Sequence, residues 1–138
     1  MARRDKFYQI VRDGLEAEGW TMEKRVEYYK SCVKRLLSAY ESLRTERSQV
    51  DLLFDDERMH YMAVRVGWIN RKRLHLPLLH IDISDGMIVI QCNNTEDLIV
   101  DELEKMGISR QHICLGFLPP EVRSLADKQE RQPVLELA

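Results

Sequence analysis

The sequence predicts an α+β domain, with a four-stranded antiparallel meander packed against a long N-terminal helix and a shorter C-terminal helix. Three observations lead there. Between Glu23 and Leu43 the apolar residues recur in alternating steps of three and four, the period of one helix face. From Val50 onward the period falls to two, the mark of half-buried strands. Short polar turns separate the strand-like runs, and short turns join antiparallel neighbours.

Residues 5–17 place Phe7, Ile10, Val11 and Leu15 at helical spacing behind an Asp5 cap, with Gly14 weakening that helix and Gly19-Trp20 ending it. The next pattern is stronger. Val26, Tyr29, Val33, Leu36, Tyr40 and Leu43 form one continuous stripe, widened by Cys32 and Leu37, while Lys24, Arg25, Lys34 and Arg35 lie off it. Val50, Leu52 and Phe54 then alternate with Asp51, and Asp55-Asp56-Glu57 make a polar turn. His60, Met62, Val64, Val66 and Trp68 share one strand face, with Tyr61, Ala63 and Arg65 on the other.

Asn70-Arg71-Lys72 reads as a hairpin turn, and residues 74–83 return as a strand apolar on both faces, the pattern of a central position. Pro77 cannot donate a ladder bond, so continuous pairing is expected after it. Ser84-Asp85-Gly86 is a tight turn and residues 87–92 are the fourth strand. Asn94 or Thr95 is expected to cap a helix with Glu96 and Asp97 in its first turn, Ile99, Leu103 and Met106 buried, and Gly107 at its end. Residues 109–112 add a turn, residues 113–117 a short apolar strand, and Pro119-Pro120 a break before a short helix from residue 121.

Composition narrows the function classes. The chain has 138 residues, 44% of them hydrophobic and 32% charged, which is folded-domain material and not a disordered segment. Lys and Arg number 21 against 23 Asp and Glu, a net charge of −2, so a uniformly basic nucleic-acid binder is excluded. The charge is uneven: residues 1–50 carry 11 basic against 8 acidic residues, and the remainder 10 against 15. No apolar run approaches the ~20 residues of a membrane span, and no signal-peptide pattern opens the chain. Cys32, Cys92 and Cys114 are widely spaced with no C-x-x-C, so a disulfide framework is not expected and a reducing cytoplasm is the expected location.

Each candidate constellation has a plain structural reading. His80 and Asp82 project from the same strand face and form a polar pair, an arrangement that orients an imidazole for acid–base or metal chemistry but equally satisfies two buried polar groups. His112 and Cys114 with Cys92 and His60 match no zinc-ligand spacing. Glu57 with His80 and Asp82 would be the donors of a metal-dependent hydrolase. No P-loop, G-x-G-x-x-G, G-x-S-x-G or H-E-x-x-H is present, and the chain does not read as an enzyme: no catalytic, cofactor or metal residue is assigned. Arg71, Lys72 and Arg73, with the basic helix face, are the candidate contacts to nucleic acid. Trp68 and Phe117 are the candidate protein interface. The helix stripe is expected to pack on its own sheet, with a homo-oligomer or hetero-complex as the second option.

A family resemblance rests on Val64-Arg65-Val66-Gly67-Trp68 and Leu78-Leu79-His80-Ile81-Asp82-Ile83, supported by the run from Phe54 through Asp55-Asp56-Glu57-Arg58-Met59-His60 to Tyr61. Gly86-Met87-Ile88-Val89-Ile90-Gln91, Asp101-Glu102-Leu103 to Gly107-Ile108, and Leu115-Gly116-Phe117 extend it. Over about residues 22–124 the chain resembles the XisI family, cyanobacterial fdxN-element excision controlling factors. That resemblance implies an α+β domain tied to programmed excision of a DNA element during heterocyst development, alongside a site-specific recombinase and a companion, XisH. It implies no catalytic residue. The function expected from it is an accessory, non-enzymatic interaction with a XisH-like partner or the recombinase.

The first 21 residues depart from the XisI pattern. Ala2-Arg3-Arg4-Asp5-Lys6-Phe7, Val11, Leu15 and Gly19-Trp20-Thr21 resemble the opening of XisH. The expected organisation is therefore a XisH-like remnant over residues 1–21, a XisI-like domain over 22–125 and a tail over 126–138. XisH proteins are similar to restriction-endonuclease-like nucleases, whose metal-binding residues lie further along than such a stub reaches. The stub is expected to pack peripherally, because so short a segment buries no core of its own.

Overall fold

Helix α1 (Met22–Ser38) carries the predicted stripe, and Thr21 caps it by accepting the Lys24 amide at 3.1 Å. In this computed structural model residues 20–123 are described; the helix expected over residues 5–17 and the tail lie outside them. The stripe outlasts the α-helix. After Ser38 the backbone tightens into a 3₁₀ turn, Ala39–Leu43, which still buries Tyr40. Tyr28, Tyr29, Cys32, Val33, Leu36 and Leu37 are buried along α1. Leu43, the last residue of the expected stripe, is exposed.

Five strands follow: β1 (Ser48–Asp55), β2 (His60–Ile69), β3 (Lys72–Ser84), β4 (Met87–Asn93) and β5 (Ile113–Leu115), in spatial order β1-β2-β3-β4-β5. The first four are the expected antiparallel meander. The fifth is an addition to the predicted four-stranded sheet. Ile113–Leu115 lies parallel to β4, with Ile88 opposite Ile113 and Ile90 opposite Leu115. A parallel neighbour requires a crossover, which helix α2 (Ile99–Lys105) and its loops supply. Three apolar residues show a strand, but not which edge accepts it.

The β2–β3 turn is the two-residue pair Asn70-Arg71, with φ values of 49° and 68°, the left-handed pair that suits strand twist. Pairing therefore begins at Lys72, earlier than Pro77 would suggest. Val64 lies opposite Pro77 and Ala63 opposite Leu79, leaving Leu78 as the extra residue of a bulge. Proline is tolerated there because the ladder is already interrupted. A second bulge leaves Gln91 unpaired between His80–Cys92 and Ile81–Ile90.

Alternation then sorts the side chains. Tyr61, Ala63, Leu79, Ile81, Ile83, Ile88 and Ile90 join α1 in the core, with Ile99, Val100, Leu103 and Ile108 from the α2 region. Three tyrosines, two on α1 and one on the 3₁₀ turn after it, anchor the layers. Tyr28 donates to the Met106 carbonyl at 2.6 Å, Tyr29 hydrogen-bonds His112 Nδ1 at 2.6 Å, and Tyr40 donates to Asp97 at 2.5 Å. Tyr61, from the sheet, donates to Asp56, which also holds Lys34 of α1 at 2.8 Å.

Helix α2 starts three residues later than a Thr95 cap would place it. Asn93, fully buried, accepts the Thr95 amide and hydroxyl, and Thr95 accepts the Asp97 amide, so these side chains build a turn and not a helix start. Asp101 and Glu102 take the first-turn places expected for Glu96 and Asp97. Gly107 ends α2 as expected. At φ 94° its amide reaches Glu104 O while that of Ile108 reaches Leu103 O. Helix α3 (Pro120–Arg123) follows the double proline.

Candidate functional site

Two features stand on the sheet outside the core. The first is on the face turned away from α1 and α2. The bulge at Leu78 shifts the β2–β3 register by one residue, which sets His60 directly across from Asp82. His80, two residues before Asp82, shares that face. His60 Nδ1 lies 2.8 Å and His80 Nε2 2.9 Å from the same oxygen, Asp82 Oδ1. The Gln91 side chain, freed by the second bulge, donates to Asp82 Oδ2 at 3.0 Å.

The Asp82 side chain is only 13% exposed, against 27% for His80 and 57% for His60. Burial would raise the Asp82 carboxyl, but hydrogen bonds from His60 and Gln91 and the charge and hydrogen bond of His80 outweigh it. Its pKa lies below the ordinary aspartate value. The expected His80–Asp82 pair is thus one half of a His–Asp–His cluster, and His60 is the member that spacing along the chain did not group with it. Leu52, Leu53, Phe54, Tyr61 and Met62 line an adjoining groove of about 470 Å³ that His60 and His80 border.

The other expected donors lie elsewhere. Glu57 sits in the β1–β2 turn, its amide held by Asp55 Oδ1, outside the group formed by His60, His80 and Asp82. His112 is bound to Tyr29 under α1. Cys92 is opposite His80 and accepts from Asn94, and Cys114 is opposite Val89. Among the described residues, His60, His80 and Asp82 are the group of three His, Cys, Asp or Glu donors close enough to share one ion.

The second feature is the outer half of the β2–β3 hairpin. No residue from Arg65 to Pro77 is buried. Trp68 (57% exposed) presents apolar surface there on the face it shares with Arg73, and Ile69 and Leu76 do so on the opposite face with Lys72, while Arg71 sits in the turn. The Arg73 guanidinium lies 5.3 Å from the Trp68 ring centroid and donates to the Gly67 carbonyl at 3.4 Å, so one of the three cations is already stacked on the indole. Phe117 is placed differently. It is half-buried against the core beyond β5, the edge opposite β1.

The XisI protein family model matches residues 22–128. The chain belongs to the XisI family. It is 36% identical to a XisI-like protein from Anabaena variabilis ATCC 29413 whose crystal structure superposes with a TM-score of 0.70, covering 74% of this chain and 95% of that one. It is 28% identical to the fdxN element excision controlling factor XisI from the same organism, with a TM-score of 0.66 over 75% of this chain and 96% of that one. No curated protein shows a significant match. Family membership agrees with the resemblance carried by the strand motifs. No helix among the described residues is long and apolar enough to cross a membrane.

Proposed function

We propose that this XisI-family chain is an accessory controlling factor for DNA-element excision that acts without catalysis, in the cytoplasm, by binding a XisH-like protein or the recombinase. The observation that carries this reading is the outer β2–β3 hairpin, where Trp68 on one face and Ile69 and Leu76 on the other remain exposed, with Arg71 and Lys72 at the turn. An aromatic anchor rimmed by arginine is the composition of an interface centre. Its partner would offer an apolar pocket with an acidic border. We further propose that residues 1–21 are a XisH-like remnant attached to this domain and that residues 126–138 are a tail.

Co-purification of the full chain with a XisH homologue, and separately with the recombinase, tests the interaction. Retention of one of them by the native chain, and loss of it with Trp68→Ala, supports the reading. Equal retention by both chains, or none by the native chain, contradicts it.

The basic tip favours direct DNA binding as a second reading. Filter binding at two salt concentrations separates the two, because phosphate contacts weaken steeply as salt rises. Salt-sensitive retention that falls with Arg71→Ala and Lys72→Ala would favour DNA.

A further inference from the structure

We infer that His60, His80 and Asp82 form a binding site for one divalent transition-metal ion of the kind that prefers imidazole, with Zn²⁺ as the reference ion. The inference goes beyond the interaction role proposed above and does not depend on it.

The donor set comes first. Two imidazole nitrogens and one carboxylate suit Zn²⁺, Co²⁺ or Ni²⁺ and not the all-oxygen preference of Mg²⁺ or Ca²⁺. The three donor atoms lie within 4.8 Å of one another, and both nitrogens already converge on one carboxylate oxygen. Tetrahedral coordination at ~2.1 Å sets donors ~3.4 Å apart, so an ion entering between them needs only small side-chain shifts.

The support of the donors is the second point. All three project from a paired strand ladder, and His60 and Asp82 are direct cross-strand neighbours. A rigid sheet holds such groups more accurately than a loop. The bulge at Leu78 creates this register, and the bulge at Gln91 supplies an amide that fixes the far carboxylate oxygen. A hydrogen bond to a ligating carboxylate is the usual outer support of a metal site. Met62 and Leu53 flank the cluster from the same face. With three protein donors, at least one coordination position stays open, and exposed His60 marks the solvent side.

Without a metal, the cluster is a hydrogen-bonded network in which each imidazole donates a hydrogen bond to the Asp82 carboxylate. The two readings differ in what they predict for added metal.

The test uses the full chain stripped with a chelator and titrated with Co²⁺, read by visible absorption, with Zn²⁺ then displacing it. The expected result is one Co²⁺ per chain, a d–d spectrum of imidazole–carboxylate coordination, and full displacement by Zn²⁺. His60→Ala, chosen because that side chain is largely exposed and its loss should not unfold the sheet, is expected to weaken binding more than 100-fold, beyond the ~10–100-fold typical of losing an outer support. Gln91→Ala is expected to fall inside that smaller range. His75→Ala, His112→Ala, Cys92→Ser and Cys114→Ser are expected to leave the affinity unchanged.

The inference is overturned if the native chain gives no Co²⁺ spectrum at saturating metal. It is equally overturned if His60→Ala binds as tightly as the native chain, or if binding follows one of the other histidines or cysteines.

Discussion

Replacing Gly67 by alanine should destabilise the fold through a clash with backbone that cannot swing aside. A Cβ built at Gly67 lies 2.1 Å from the Arg47 carbonyl oxygen and 2.7 Å from both Cα and Cβ of Ser48. Ser48 is the first residue of β1 and pairs with Gly67, so relief requires the strand to move off its neighbour. The Arg47 carbonyl also accepts the Trp68 amide at 3.1 Å, and Ser48 Oγ accepts Arg65 Nη1 at 2.9 Å. Overpacking of this kind costs about 1–3 kcal/mol. A lost hydrogen bond adds about 1 kcal/mol. The lower chain entropy of alanine returns about 0.5–1 kcal/mol. The net expectation is a loss of ~2–3 kcal/mol, or ~10–20 °C in melting temperature for a domain of this size. Urea unfolding monitored by circular dichroism measures it. A variant within about 0.5 kcal/mol of the native chain, the scale of an ordinary surface substitution, would refute the tight β1–β2 start described here.

Other expectations follow from the core, the cluster and the thiols. Leu103→Ala removes a fully buried side chain of α2 and should cost about 3–4 kcal/mol by denaturant unfolding, the scale of a core cavity. Asp82→Asn should cost about 1–3 kcal/mol at neutral pH, because hydrogen bonds to a buried carboxylate are lost. Because the native Asp82 pKa is depressed, its contribution is complete above the ordinary aspartate value near ~3.9 and disappears as pH falls through the lower folded value; the difference between the two proteins should therefore shrink below about pH 4. An unchanged difference across acid titration would contradict that assignment. Burial, only partly opposed by Tyr28, Ser31 and Arg35, pushes the Cys32 thiol up to about 11, so at pH 8 it should react with a thiol reagent only after denaturant is added. Prompt labelling of Cys32 in the native chain would contradict its burial.

Local pattern carried much of the fold. The α1 stripe was legible because Tyr29, Cys32, Val33, Leu36 and Leu37 share one helix face, and the meander because the buried Tyr61, Ala63, Leu79, Ile81, Ile88 and Ile90 alternate with residues outside the core. The remainder depends on register and distance. Counting back from the Asn70-Arg71 turn without a bulge would pair His60 with Ile81, a core residue, and so place the histidine inside. The extra residue at Leu78 corrects the register, keeps the apolar sets together and brings His60 to Asp82. Pro77 was the signal for it, read as a limit on pairing when it marks a bulge. Helix α2 began later than expected because Asn93 and Thr95 spend their side chains on turn bonds. The place of β5 depends on a chain crossover that three apolar residues do not encode.

The hairpin tip is the centre of the functional account, and side-chain footprinting of the full chain with and without the XisH-like protein, then the recombinase, tests it most directly. Protection of Trp68, Ile69 and Leu76 by one of them, with the outer face of α1 still labelled, is the predicted result. Protection confined to α1, or unchanged labelling at the tip with both proteins, would contradict it.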